Sequence, residues 1–179
     1  MEIRHGKIIV HASGGTAGKD SSTYKITLPS LWIKEMNLSE NEREVELSFD
    51  GSRITIEKKL TFDEYIESQK TKGHTLKKLT YYNDKTLCTT IIIDMTEKKL
   101  RAENHTANII KTAFGKNVAP TWDDLQGFLE ERCIARSRAG LREYLETIGV
   151  DEYDPIEIIK KTKGRMAEDS QWIEIEDLI

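Results

Sequence analysis

The sequence predicts an α+β protein in two parts, a strand-rich unit over residues 1–60 and a strand-then-helix domain over 75–179, with a helical linker at 61–74. Three observations carry this reading. Short β-branched runs with period-two alternation crowd the first sixty residues. Capped helix starts crowd the last sixty. Between the parts, Lys70–Thr75 (KTKGHT) is polar and contains Gly73, which marks a boundary.

In the first unit, Lys7–His11 (KIIVH) reads as a strand and Ala12–Ser22 (ASGGTAGKDSS) as a small-residue loop. Tyr24–Leu28 (YKITL) reads as a second strand, closed by Pro29. Ser30 is placed to cap a short helix through Met36, with Asn37 as its left-handed stop. Glu44–Phe49 (EVELSF) and Ser52–Glu57 (SRITIE) flank Asp50-Gly51, a dipeptide that favours a hairpin turn. Thr61 faces Glu64 in a capping box, which predicts the linker helix over Thr61–Gln69.

In the second part, Leu76–Tyr82, Thr86–Asp94 and Lys99–His105 read as three strands, broken at Asn83-Asp84 and Thr96-Glu97. Pro120 and Thr121 open a helix through Arg132, again with a box from Thr121 to Asp124. A second helix is expected from Ser137 to Ile148, stopped by Gly149. Asp154 caps a third, with Pro155 at its first position, through Lys161. The tail Gln171–Glu176 (QWIEIE) alternates as a further strand would.

Charge divides the chain more sharply than its net of −4 suggests. Residues 1–34 hold five basic and two acidic side chains; residues 121–179 hold eight basic and fifteen acidic ones. The only clear basic excess near the strand-rich unit therefore lies at its start, while the acidic helical end favours a protein partner over a phosphate backbone. Nothing in the sequence predicts a membrane span or a signal peptide, and Cys88 and Cys133 fit buried thiols in a reducing cytoplasm.

Several motifs invite chemistry and do not sustain it. Gly14–Asp20 resembles a phosphate loop, but Asp20 stands where a hydroxyl should hold magnesium, and a strand follows instead of a helix. His5, His11, His74 and His105 lack metal-ligand spacing. The sequence thus predicts no metal, no cofactor and no catalytic residues, and the protein is not expected to be an enzyme. Arg132, Arg136, Arg138 and Arg142 (ERCIARSRAGLRE) can either clamp an anion or pair with nearby glutamates, and pairing is the expectation. Trp122, Tyr144, Tyr153 and Trp172 are expected in the core. Gly164–Asp169 (GRMAED) looks like a shaped loop.

The first unit resembles the AbrB/MazE/SpoVT family of swapped-hairpin DNA-binding domains. The residues that carry the resemblance are KITLP at 25–29, LWIKEMNL at 31–38 and EVELSFDGSRITIEKK at 44–59. Asn37 stands where glycine is usual, and the Ala12–Ser22 insertion is long. The resemblance implies an intertwined homodimer in which each protomer lends strands to the other. It also implies duplex DNA binding and transcriptional regulation, as an autoregulatory protein and the antitoxin or control component of a small operon. A shared core suits so small a unit, which buries little alone. The expected DNA contacts are Arg4, as an N-terminal arm, together with Lys7, Thr16, Lys19, Ser21, Ser22, Thr23 and Lys25. The competing expectation is a protein inhibitor or adaptor of mobile-element or phage type. In that reading the C-terminal domain acts and the first unit only dimerises.

Overall fold

The computed structural model describes residues 2–12 and 22–178. The chain is α+β and separates into two compact units, residues 1–59 and 60–179.

The first unit contains β1 (Ile9–Ala12) and β2 (Ser22–Lys25), α1 (Ser30–Glu35), and the hairpin of β3 (Val45–Phe49) and β4 (Ile54–Lys58). Among the described residues these strands make two separate antiparallel pairs, β1 with β2 and β3 with β4. Both early strands are displaced from their expected positions. Pairing starts at Ile9 rather than Lys7, and β2 closes at Lys25, leaving Ile26–Leu28 outside the strand. Ser30 does not cap α1: Pro29 holds the cap position in an extended conformation, without any side-chain cap bond. The stop is as expected. Asn37 takes a φ of 54°, its N–H donates to the Lys34 carbonyl at 2.9 Å, and the Leu38 N–H reaches back to Ile33 at 3.0 Å. Those two bonds are the pair that ends a helix through a left-handed residue.

The β3–β4 turn is centred one residue later than expected. Asp50 N–H donates to the Arg53 carbonyl at 3.3 Å, so Gly51 and Ser52 are the two central residues, and only Gly51 has positive φ, at 96°. The Asp50 carboxylate explains the shift. It accepts from the Ser52 N–H at 2.9 Å and the Arg53 N–H at 2.8 Å, locking the turn from its first corner.

The second unit begins with α2 (Phe62–Thr71), followed by β5 (Leu76–Asn83), β6 (Thr86–Asp94) and β7 (Lys99–Asn104). Next come α3 (Trp122–Glu131), α4 (Leu141–Ile148) and α5 (Pro155–Thr162), and finally β8 (Gln171–Leu178). The sheet is antiparallel throughout, in the order β7-β6-β5-β8. The tail therefore crosses back to pair with the first strand of the sheet. All three boxes and caps at Thr61, Thr121 and Asp154 form. The helix expected from Ser137 starts only at Leu141, because Gly140 has a φ of 76° and cannot continue a right-handed helix.

Alternation sorts the sheet into two faces. Leu79, Tyr81, Ile91, Ile93 and Ile173 meet Leu125, Phe128, Leu129, Ile158 and Ile159 in the main core. Leu76 and Ile92 lie outside that cluster and are buried along with Tyr65 of α2, which packs on β5 and β6. Arg101, opposite Ile92, stacks on the Tyr65 ring at 4.6 Å and donates to the Leu60 carbonyl at 3.1 Å. The helix read as a linker thus belongs to the second unit and covers one face of its sheet. Cys88 and Cys133 are both buried and unpaired. Burial pushes the Cys133 thiol up to about 12, which keeps it an unreactive small hydrophobe.

One buried charge knits the second unit together. Arg132, at the end of α3, donates from Nε and Nη2 to the Gly164 carbonyl at 3.0 and 2.8 Å, and from Nη1 and Nη2 to the two carboxylate oxygens of Asp169 at 2.6 and 3.1 Å. It also reaches the carbonyl and side-chain oxygens of Gln171 at 3.1 and 3.2 Å. The loop that looked shaped in sequence is shaped by this guanidinium.

Two outcomes follow. A fragment of residues 60–179 should melt in one cooperative transition by circular dichroism, and Ile91→Ala should destabilise it by about 2–5 kcal/mol through the lost burial and cavity. The Arg132 guanidinium beside Asp169 holds its carboxyl below the usual carboxylate range. The stability this adds is complete above pH ~4 and is lost as the pH falls through the depressed value. Asp169→Asn should therefore cost about 1–3 kcal/mol at neutral pH and flatten the acid limb in urea titrations between pH 2.5 and 7.

Candidate nucleic-acid interface

The β1–β2 ribbon has two chemically different faces, set by its register. Val10 opposes Tyr24 and Ala12 opposes Ser22 on one face; Ile9 opposes Lys25 and His11 opposes Thr23 on the other. Extending the alternation adds Ile8 and Ile26 to the first face and Lys7 to the second. One side is therefore apolar and aromatic, the other cationic and hydrogen-bonding.

That division separates the expected contacts. Thr23 and Lys25 fall together on the polar face, and Lys7 lies two residues before the start of β1. Ser22 lies on the apolar face beside Ala12 and is not brought to the same surface. Arg4 is not a loose arm: it pairs with Glu2 at 2.6 Å and lies 5.7 Å from the centre of the Trp32 ring. Trp32 Nε1 donates to the same Glu2 carboxylate at 2.9 Å, which ties the N-terminal segment to α1. The hydrogen bonds from Trp32 and Arg4 hold the Glu2 carboxyl below its usual range. Thr16, Lys19 and Ser21 lie outside the described residues. Lys7 and Lys25 have no carboxylate partner among the described residues.

Two residues on this face were not singled out in sequence, Ile9 and His11. The signal was present in the spacing Lys7, Ile9, His11, which is one side of a strand.

The β3–β4 hairpin is amphipathic in the same way but with opposite charge. Val45, Leu47, Phe49, Ile54 and Ile56 share one face, while Glu46 stands directly opposite Glu57 on the other, with Ser48 opposite Thr55. An anionic face of that kind repels a phosphate backbone. Its apolar side lies open: Leu47 is 65% exposed, Phe49 69% and Ile54 66%. No described side chain of residues 2–59 is buried. Among the described residues the unit therefore has no core.

No protein-family model, curated protein or solved structure matches this chain. The site must be judged on its own chemistry.

In the second unit the arginine-rich junction turns inward or pairs locally. Arg132 is consumed by the Gly164–Gln171 loop. Arg136 pairs with Glu130 at 2.8 Å and stacks 4.1 Å from the centre of the Tyr153 ring, and Arg142 pairs with Glu146 at 3.1 Å. Such exposed pairs contribute only about 0–1 kcal/mol each. Trp122, Tyr144 and Tyr153 pack against the core. Trp172 instead stacks on Tyr82, with ring centres 4.2 Å apart, and carries Lys163 and Arg165 each at 5.3 Å.

His74 meets Asp94 at 2.7 Å. Burial alone would raise the Asp94 carboxyl, but the N–H groups of Glu97 and Thr96, together with His74, outweigh it and hold the carboxyl low. His105 bonds to Thr90 at 2.8 Å. Among the described residues no helix is long and apolar enough to cross a membrane, and no three His, Cys, Asp or Glu side chains are grouped to hold a metal ion.

Proposed function

We propose that this protein is a homodimeric, sequence-specific DNA-binding regulator of transcription, acting on its own operon as an antitoxin or control component. The observation that carries the reading is the first unit, whose strand pairs each offer an apolar face of exposed side chains among the described residues. One of the remaining faces is cationic. A two-stranded hairpin is marginal in water by itself, and two of them without a buried side chain need a second copy. Joining two copies through the apolar faces buries Val10, Tyr24, Leu47, Phe49 and Ile54. It also doubles the cationic face on one assembly, in keeping with the swapped-hairpin resemblance. The acidic second unit, with its own core, is left to engage a protein partner in the cytoplasm.

Self-association is tested by light scattering on the full chain. The wild type should have the mass of a dimer at micromolar concentration, and Leu47→Glu should raise the dissociation constant roughly 100-fold or more by forcing a carboxylate into an apolar interface. A folded wild-type monomer at that concentration overturns the shared core.

DNA binding is tested by its salt dependence. Each phosphate contact contributes a slope of about −0.9 in log affinity against log salt. Lys25→Ala should weaken binding to duplex DNA and flatten the slope by about two units, one contact from each protomer. An unchanged slope moves the interface away from this ribbon. Absence of binding even at low salt favours an adaptor that acts through its second unit, a reading supported by the fifteen acidic against eight basic side chains of residues 121–179.

A further inference from the structure

We propose that the polar face of the β1–β2 ribbon reads base edges in the major groove, with Ile9 and His11 setting the sequence preference while Thr23 and Lys25 hold the ribbon to the duplex. The inference rests on the DNA-binding reading above and names the side chains that choose the sequence within it.

The register is the starting point. Ile9 with Lys25 and His11 with Thr23 are the two cross-strand pairs of this face, and all four side chains are exposed. The opposite face, with Val10 against Tyr24, is the one the proposed interface between copies uses. A two-stranded antiparallel ribbon has its strands about 4.8 Å apart, and the major groove, about 12 Å wide, admits such a ribbon with its side chains. Neighbouring residues on one face of a strand are about 6.8 Å apart, so Ile9 and His11 reach base pairs within two positions of each other.

The chemistry of the four side chains divides by role. An exposed isoleucine on a hydrogen-bonding face gains little from water, but the thymine methyl offers it an apolar contact in that groove. The His11 ring carries hydrogen-bonding nitrogens on a planar frame, suited to acceptors such as guanine N7 and O6. Thr23 and Lys25 can bond to phosphate oxygens, which position a protein without specifying sequence.

Charge selects this face over the alternative. Among the described residues up to Leu28 the only carboxylate is Glu2, already held by Arg4 and Trp32. The polar face of the β3–β4 hairpin instead sets Glu46 against Glu57.

The test uses the full chain and two probes, a duplex selected by that chain from a randomised pool and a mixed-sequence duplex of equal length. Ile9→Ala and His11→Ala should each lower the preference for the selected duplex by roughly 5- to 100-fold, leaving mixed-sequence affinity within about twofold and the salt slope unchanged. Lys25→Ala should weaken both duplexes alike. His11→Arg should select anew, with guanine favoured at the position His11 reads, because a guanidinium pairs in two-pronged fashion with guanine. If Ile9→Ala and His11→Ala keep the wild-type preference while Lys25→Ala weakens binding, DNA binding stands and ribbon readout falls. If the wild type binds no duplex at low salt, both fall together.

Discussion

Burying the Arg132 guanidinium is the interaction on which the second unit turns. A cation out of water costs several kcal/mol unless its donors are met. Here two carbonyls, a carboxylate and an amide oxygen meet them. The acceptors lie 32 to 39 residues further along the chain, so satisfying one side chain fixes where α3 ends, how the Gly164 loop bends and where β8 begins. Gly164 has a φ of 56°, and a Cβ there would come within 3.3 Å of the Arg132 Cβ. A larger residue would be strained and crowded at the same point. From this anchor β8 runs along β5 with Ile173 wholly buried. The polar clamp and the apolar core are thus parts of one construction.

The first unit shows the opposite economy. Its turns and helix stop are locally satisfied, by Asp50 in the hairpin and by Asn37 after α1. Its apolar faces are not. Local geometry is complete there, while no described side chain of residues 2–59 is buried. Of its two strand pairs, β1–β2 sets Lys25 on its polar face, whereas β3–β4 sets Glu46 against Glu57.

What was legible in the sequence is what short-range chemistry determines. Thr61, Thr121 and Asp154 announce their helices because a cap and its partner lie three residues apart. The strands of the second unit show in their β-branched runs, and even the tail strand shows by its alternation. The misses have equally physical causes. Asp50 moved the hairpin turn by one residue because its carboxylate competes for the turn's own N–H groups. Gly140 delayed α4 through a backbone angle that composition does not reveal. Arg132 could not be assigned in sequence because Asp169 lies 37 residues away. At the candidate interface, residue type pointed to Lys25 and Thr23 but not to Ile9 and His11. Ser22 was grouped with them by composition, whereas register puts it on the other side.

The antiparallel pairing of β8 with β5 also dictates when this protein can fold. Leu76 meets Leu178 and Asn83 meets Gln171, so the fourth strand joins its neighbour only after nearly the whole second unit has been synthesised. Contacts across such spans carry a large loop-closure cost and form slowly. Until the ribosome releases residues 171–178, β5 exposes an unpaired edge beside an unfinished core, a state prone to non-native association. The hairpins of the first unit need only local chain and can form while the rest is still in the tunnel. The apolar faces of the first unit are therefore complete before the sheet of the second is closed.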